Sequence, residues 1–140
     1  MRYLLPFDVI KRPVELSTDK DHPTVTMPYE SLLELIRQLL SQVEVDEQWY
    51  LVQYPDVAEA IAQGKTTSAR QHFMDDGYFE NRLPSRITVN ERWYYSNYPD
   101  VAASVRNGTE PSAQAHFIRS GYREGRLPYP MPNESGRPRG

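Results

Sequence analysis

Residues 28–42 carry the clearest hydrophobic pattern in the chain and predict an amphipathic helix. The apolar residues of this stretch are Leu32, Leu33, Leu35, Ile36, Leu39 and Leu40. Placed 100° apart, they span an arc of about 160°, which is wider than one buried stripe needs. One side of the helix can pack on the rest of the protein, and the excess faces either the same core or a neighbouring chain. Leu32, Leu35 and Leu39 are the candidate contact residues.

From residue 45 onward, the pattern of apolar and polar residues is written twice at a spacing of 44. Residues 45–85 and 89–129 align without a gap, and 20 of 41 positions are identical. Such self-similarity is the signature of a tandem repeat. Residues 45–88 are called the first copy below, and residues 89–128 the second copy. The shared positions that we expect to determine the structure of each copy are Trp49, Asp56, His72, Gly77 and Arg82, followed by Trp93, Asp100, His116, Gly121 and Arg126.

The residue pattern of each copy predicts three short helices. The first begins after an N-cap, Asp46 or Asn90, and ends before a proline, which pushes the preceding residue out of the helical region. The second begins at that proline and ends at a glycine. The third ends at Gly77 or Gly121, and an extended exit follows. The predicted ranges are 46–53, 55–63 and 67–76 in the first copy, and 90–97, 99–107 and 111–120 in the second.

The two ends of the chain differ from this helical body. Prolines spaced through residues 1–27 argue against a helix and leave extended segments or edge strands. Residues 129–140 are rich in Pro and Gly and predict a flexible tail. The predicted fold is therefore all-α. Its segments are an extended N-terminal arm at 1–27, the amphipathic helix at 28–44, helical repeats at 45–88 and 89–128, and the tail at 129–140.

Composition narrows the class of protein. The net charge is −3, with acidic and basic residues mixed along the chain, whereas nucleic-acid binders concentrate basic residues on one face. No cysteine is present, so disulfides and thiolate metal sites are excluded. No stretch has the length of a signal peptide's apolar region or of a transmembrane helix. We expect a cytoplasmic protein with no nucleic-acid partner, no membrane span, no metal and no cofactor.

Histidines are the first candidates for chemistry. His72 and His116 occupy equivalent places in the two copies and could meet to bind a metal. Each, however, lies beside a phenylalanine on an amphipathic face, and no second ligand follows four residues later. We therefore expect structural histidines. His22 is a lone loop residue for which we expect no role.

Carboxylates in equivalent places are the second candidates. Asp56 with Glu80, and Asp100 with Glu124, are formally open to acid–base catalysis. An aspartate in the first turn of a helix is already explained by the helix dipole. Glu80 can pair with Arg82 two residues away, and an active site seldom occurs twice in one short chain. We therefore expect no enzyme.

Aromatic residues are the third candidates, because exposed rings can bind sugars. Most of them recur in both copies at helical spacing, so we expect a core that includes Trp49 and Trp93. Tyr95 and Tyr129 have no aromatic counterpart in the other copy. These two are the candidates for exposed contacts.

The repeated motif resembles a module of bacterial surface-polysaccharide proteins. The pattern W-Y-x-x-x-Y-P-D-V-A, followed by H-F-x-x-x-G-Y-x-E-x-R, begins at Trp49 and at Trp93. A similar module is attached to glycosyltransferases of the rhamnan-synthesis type, where it ends in E-G-R. Gly125 completes that ending in the second copy, whereas Asn81 takes its place in the first. The resemblance covers about 82 of the 140 residues. It implies an accessory helical module without a catalytic domain.

Two functions from different classes follow from these observations. The first is a non-catalytic interaction or assembly module that serves bacterial surface-polysaccharide synthesis or export. It would bind a protein partner and form a homodimer through the N-terminal arm and the amphipathic helix. The alternative is a small carbohydrate-binding protein that uses the exposed tyrosines.

Overall fold

The structure, a computed structural model, describes residues 6–131. This part of the chain is mainly helical and includes one small two-stranded sheet. The mainly helical class predicted from the sequence is therefore confirmed. The first five residues of the predicted arm and residues 132–140 of the predicted tail lie outside the described residues.

The N-terminal arm contains a helix, contrary to the prediction. α1 (Phe7–Ile10) begins directly after Pro6, whose φ of −56° is compatible with a helix start. Proline is harmful inside a helix but not at its first residues, where no N–H is needed. The spacing of prolines therefore limited this helix to one turn and did not prevent it. Its Phe7 side chain is exposed.

A short hairpin follows α1. β1 (Glu15–Leu16) and β2 (Val25–Thr26) pair antiparallel, with Leu16 opposite Val25. The turn between them includes Asp19, whose carboxylate accepts hydrogen bonds from the backbone N–H groups of Asp21 and His22. All four strand residues are exposed. The hairpin agrees with the predicted extended segments and places His22 in a surface turn.

The amphipathic helix α2 (Tyr29–Leu40) begins one residue later than predicted, because Pro28 is its N-cap. Leu40 is buried, and Ile36 packs against the same core. Leu39, by contrast, is 62% exposed, so the wide apolar arc is only partly covered by the described residues. The alternative in which the whole arc faces the chain's own core is therefore wrong.

Six short helices make up the two copies. They are α3 (Glu47–Gln53), α4 (Pro55–Ala62), α5 (Ala69–His72), α6 (Glu91–Asn97), α7 (Pro99–Arg106) and α8 (Ala113–His116). As predicted, Asp46 and Asn90 cap α3 and α6 by accepting a hydrogen bond from a backbone N–H three residues on. Ser68 and Ser112 cap α5 and α8 in the same way, so these two helices begin later than predicted.

The third helix continues past its glycine in the first copy, whereas in the second copy it ends at Gly121, as predicted. α5 continues as a π-helix (Phe73–Gly77) and a 3₁₀ turn (Tyr78–Glu80), and α8 continues as a π-helix (Phe117–Gly121). The left-handed residues come four positions later, at Asn81 (φ 62°) and Gly125 (φ 78°). The predicted helix end was therefore wrong at Gly77 and is confirmed at Gly121. The extended exit was wrong in both copies, because the chain continues as a 3₁₀ turn after Gly77 and as a turn after Gly121. Asparagine tolerates the left-handed region, which explains how Asn81 replaces a glycine.

The core forms two clusters, one centred on each copy. The first contains Leu40, Tyr50, Val57, Ala69 and Phe73, and the second contains Leu83, Val89, Tyr94, Val101, Ala113 and Phe117. Each copy also joins its own start to its end, because the N–H of Asp46 donates to the carbonyl of Pro84 and the N–H of Asn90 to that of Pro128.

The tryptophans are less buried than predicted. Trp49 and Trp93 are both half-buried, whereas Tyr50 and Tyr94 are fully buried. Neighbouring residues on a helix point about 100° apart, so only one of each pair can face the centre of the core. In both copies that residue is the tyrosine.

Candidate functional site

A buried tyrosine, a histidine and a glycine meet in each copy. The hydroxyl of Tyr50 lies 3.0 Å from Nδ1 of His72, within a hydrogen bond. Gly77 lies beside this hydroxyl, and a β carbon at that position would overlap it. The π-helix thus places Gly77 at the point where its backbone approaches the Tyr50 hydroxyl closely. This glycine is required by space and not by a left-handed conformation, because its φ is −59°.

The second copy has the same arrangement. The hydroxyl of Tyr94 lies 2.9 Å from Nδ1 of His116. Burial raises the pKa of Tyr94 to about 12, so the phenol is neutral near pH 7. His72 and His116 therefore do not meet, and each is paired with a tyrosine of its own copy. Within residues 6–131, no group of His, Asp and Glu side chains is arranged to hold a metal ion.

An arginine fork joins the carboxylates that the sequence offered for catalysis. Arg82 donates from both Nη atoms to the two carboxylate oxygens of Asp56, at 2.9 and 2.8 Å, and from Nε to Glu80 at 2.8 Å. Its guanidinium also lies over the ring of Tyr54, 5.0 Å from the centroid. The pairing of Glu80 with Arg82 follows the prediction. The bidentate bond to Asp56, across 26 residues, was missed.

The fork recurs in the second copy at nearly the same distances. Arg126 donates to Asp100 at 2.8 and 2.7 Å and to Glu124 at 2.7 Å. The hydrogen bond from Arg126 lowers the pKa of Asp100 to about 2. A general acid at neutral pH needs a raised carboxyl pKa, so this environment opposes the use of Asp100 as a general acid.

An apolar groove of about 410 Å³ lies between the two copies. Much of its lining consists of residue pairs that are 44 positions apart. These pairs are Leu40 with Pro84, Val43 with Ile87, Phe73 with Phe117, Tyr78 with Tyr122, Leu83 with Leu127, Pro84 with Pro128, and Ile87 with Met131. Equivalent parts of the two copies therefore build one shared apolar surface.

The candidate contact leucines differ in exposure. Leu32 and Leu39 are exposed, at 41% and 62%, whereas Leu35 is half-buried. Tyr29, at the start of the same helix, is also exposed. Leu40, the residue after Leu39, is buried and lines the apolar groove.

The candidate tyrosines also differ. Tyr95 is half-buried against the second core, and its hydroxyl accepts a hydrogen bond from the N–H of Ala113 at 3.1 Å. The prediction of Tyr95 as an exposed contact is wrong, because its ring packs against the second core and its hydroxyl binds the first N–H of α8. Tyr129 is 43% exposed and lines the apolar groove.

Residues of the first copy pack into the core of the second. Leu83 is part of the second core cluster, and Trp49 packs against both clusters. Their equivalents, Trp93 and Leu127, are half-buried, and within residues 6–131 they belong to neither cluster. Trp93 instead borders a shallow surface cavity of about 270 Å³ with Arg92 and others.

A polar groove of about 450 Å³ lies on another side of the junction between the copies. Its lining residues are Gln53, Tyr54, Pro55, Asp56, Glu80, Asn81, Arg82, Ile118, Arg119, Tyr122 and Arg123. The sequence contained no signal for Arg119 and Arg123, because the first copy has Asp75 and Phe79 at these positions. Arg119 forms an ion pair with the buried Glu110. Arg123 makes no hydrogen bond or ion pair within the described part of the chain.

Comparisons with known proteins give no relative for this chain. No protein-family model matches it, and neither a curated protein nor a solved structure does. Of the helices between residues 6 and 131, none combines the length and apolar character that crossing a membrane requires.

Proposed function

We propose that this protein is a non-catalytic interaction module, built from two tandem copies of one three-helix unit, that docks a protein partner on the second copy. The proposal rests on a difference in packing between equivalent apolar residues of the two copies. Trp49 and Leu83 of the first copy reach the second core, while Trp93 and Leu127 reach no core in the described chain. A helical unit of this kind buries its face against a neighbour.

The opposite end of the tandem is covered by the chain itself. Val43 follows α2, packs against the first core, and has its carbonyl bound by Nη1 of Arg70 at 2.8 Å. The equivalent residue, Ile87, has its carbonyl bound by Nε2 of Gln114 at 2.7 Å. The segment after α2, with Val43, thus covers the first copy in the way that the segment with Ile87 covers the second. The face with Trp93 and Leu127 is the one left for a partner.

The side chains offered for catalysis support a non-enzymatic role. His72 and His116 are each bonded to a buried tyrosine, and the paired carboxylates are held by arginines. The motif resemblance supplies the setting of the proposal, bacterial surface-polysaccharide synthesis or export. For the carbohydrate-binding alternative, Tyr95 is no longer a candidate ring because it packs inside the second copy, whereas Tyr129 is exposed.

Affinity capture with variants of the full chain tests the proposal. Trp93→Glu and Leu127→Glu place a charge on the docking face without entering either core cluster. Wild-type protein should retain a specific partner from its source cells, identified by mass spectrometry, and both variants should lose it. Val52→Glu is the matched control, because Val52 is 81% exposed on α3. Circular dichroism establishes that each variant is folded. Retention of the same partner by both docking-face variants would overturn the proposal.

A further inference from the structure

The polar groove has two walls of opposite charge. Asp56, Glu80 and Arg82 of the first copy form one wall, with a net charge of −1. The other wall belongs to the second copy and carries Arg119 and Arg123. Arg119 is neutralised by Glu110, so the free charge of this wall is that of Arg123. Among the described residues, no ion pair crosses the groove, although both walls line the same cavity.

The arginines occur only where they face the carboxylates. At the positions of Arg119 and Arg123, the first copy has Asp75 and Phe79. The structural needs of the three-helix unit therefore do not require arginines at these positions. Arg119 and Arg123 are four residues apart, so they lie on the same side of the helical turn.

The first-copy wall is held rigid and still has acceptor capacity. Arg82 is fixed by three hydrogen bonds, and its side chain is only 21% exposed. Asp56 and Glu80 are 60% and 48% exposed. The hydrogen bond from Arg82 lowers the pKa of Asp56, which keeps that carboxylate ionised near pH 7. Each carboxylate oxygen can accept more than one hydrogen bond.

From this geometry we propose that the polar groove binds a small hydroxylated carboxylate, the chemistry of a sugar acid. Arg123 binds the ligand's carboxylate, because a free guanidinium matches the two oxygens of that group. Asp56 and Glu80 accept hydrogen bonds from its hydroxyl groups. The amide of Gln53 and the ring of Tyr122 complete the lining. A cavity of about 450 Å³ is in the size range of small-molecule sites.

This ligand site is separate from the partner-docking face. The polar and apolar grooves share only Tyr122 among their lining residues, and neither Trp93 nor Leu127 lines the polar groove. Failure of one proposal therefore leaves the other standing. The two can be tested on the same folded protein.

Titration of the full chain with three probes, followed by NMR and calorimetry, tests the ligand proposal. Digalacturonate carries carboxylates and hydroxyls, galactobiose carries hydroxyls alone, and glutarate carries carboxylates alone. Digalacturonate should bind at least about tenfold more tightly than either of the others, a difference of about 1.4 kcal/mol. The proposal would be overturned if digalacturonate bound no more tightly than galactobiose or no more tightly than glutarate. It would also be overturned if digalacturonate showed no saturable binding below about 10 mM.

Two substitutions locate the site. Arg123→Ala should weaken digalacturonate binding by about tenfold or more, because it removes the cation for the carboxylate. Arg106→Ala is the control, since Arg106 is exposed on α7 and does not line the groove. Glu80→Gln should weaken the binding of digalacturonate while circular dichroism stays unchanged. Unaltered affinity in Arg123→Ala would show that the ligand binds elsewhere and would overturn the assignment.

Discussion

The hydroxyl oxygen of Tyr94 lies 2.9 Å from Nδ1 of His116 and fills the space that a β carbon on Gly121 would need. The same three-residue relationship links Tyr50, His72 and Gly77. Conservation of all three residue types between the copies thus has a packing explanation. A phenol, an imidazole and a bare backbone segment fit together inside each unit.

Gly121→Ala should destabilise the protein by about 1–3 kcal/mol, because the added methyl overlaps the Tyr94 hydroxyl. Tyr94→Phe removes that hydroxyl, so the alanine should cost less in the Tyr94→Phe background. Urea unfolding of the four proteins in this cycle measures the coupling. Gly108→Ala is the control, since its cost comes from a φ of +81° in open space and should not change with Tyr94→Phe. Equal costs of Gly121→Ala in both backgrounds would contradict the packing explanation.

Arg126→Lys should destabilise the protein by about 1 kcal/mol, because a lysine cannot reproduce the fork to Asp100 and Glu124. The expected loss is small because both carboxylates are partly exposed and their charges are screened by solvent. Arg106→Lys, at an exposed position without an ion pair in the described chain, should have little effect. Urea unfolding followed by tryptophan fluorescence compares the two. Similar midpoints for Arg126→Lys and Arg106→Lys would show that the fork contributes no stability.

The local elements of the fold could be predicted because each has its own signal. Asp46 and Asn90 mark helix starts through their side-chain caps, and the prolines at 55 and 99 mark where one helix ends and the next begins. The amphipathic pattern of α2 likewise indicated a helix with more apolar surface than one face needs. These signals act over a few residues, so no knowledge of the tertiary structure was required.

The candidate site could be predicted only in part, because its decisive contacts are distant in sequence. Asp56 and Arg82 are 26 positions apart, and only the nearer pairing of Arg82 with Glu80 was expected. A glycine used for close approach, such as Gly77, looks the same in sequence as one that ends a helix. Arg123 lacked any repeat signal, since the first copy has a phenylalanine at the equivalent position.

Acid should remove the contribution of Asp100 to stability. The hydrogen bond from Arg126 lowers the pKa of Asp100 from 3.8 to about 2, so the folded state binds this proton less readily than the unfolded state. Its contribution is complete above the ordinary pKa and is lost as the pH falls toward 2. Asp100→Asn should therefore be less stable than wild type at neutral pH, and the difference should shrink from about pH 4 down to about pH 2.

Thermal unfolding between neutral and acid pH measures this difference. Asp76→Asn serves as the control, because the Asp76 carboxylate is in an exposed residue and makes no ion pair within residues 6–131. The gap between Asp76→Asn and wild type should not follow the same pH course. A constant gap between Asp100→Asn and wild type across the acid range would contradict the role given to Arg126.

Self-association through α2 is the last prediction. Leu32 and Leu39 remain exposed on α2, and Leu39 adjoins the residue that lines the apolar groove. A second chain can cover this surface in a twofold dimer in which each helix meets the same region of its partner. Light scattering at micromolar concentration should therefore give twice the monomer mass. Leu32→Glu with Leu39→Glu should give the monomer, because the paired charges would be buried without partners.

Val52→Glu should stay dimeric, since Val52 is an exposed apolar residue on a different helix. A wild-type monomer, or a dimer that persists in the double variant, would exclude α2 as the interface.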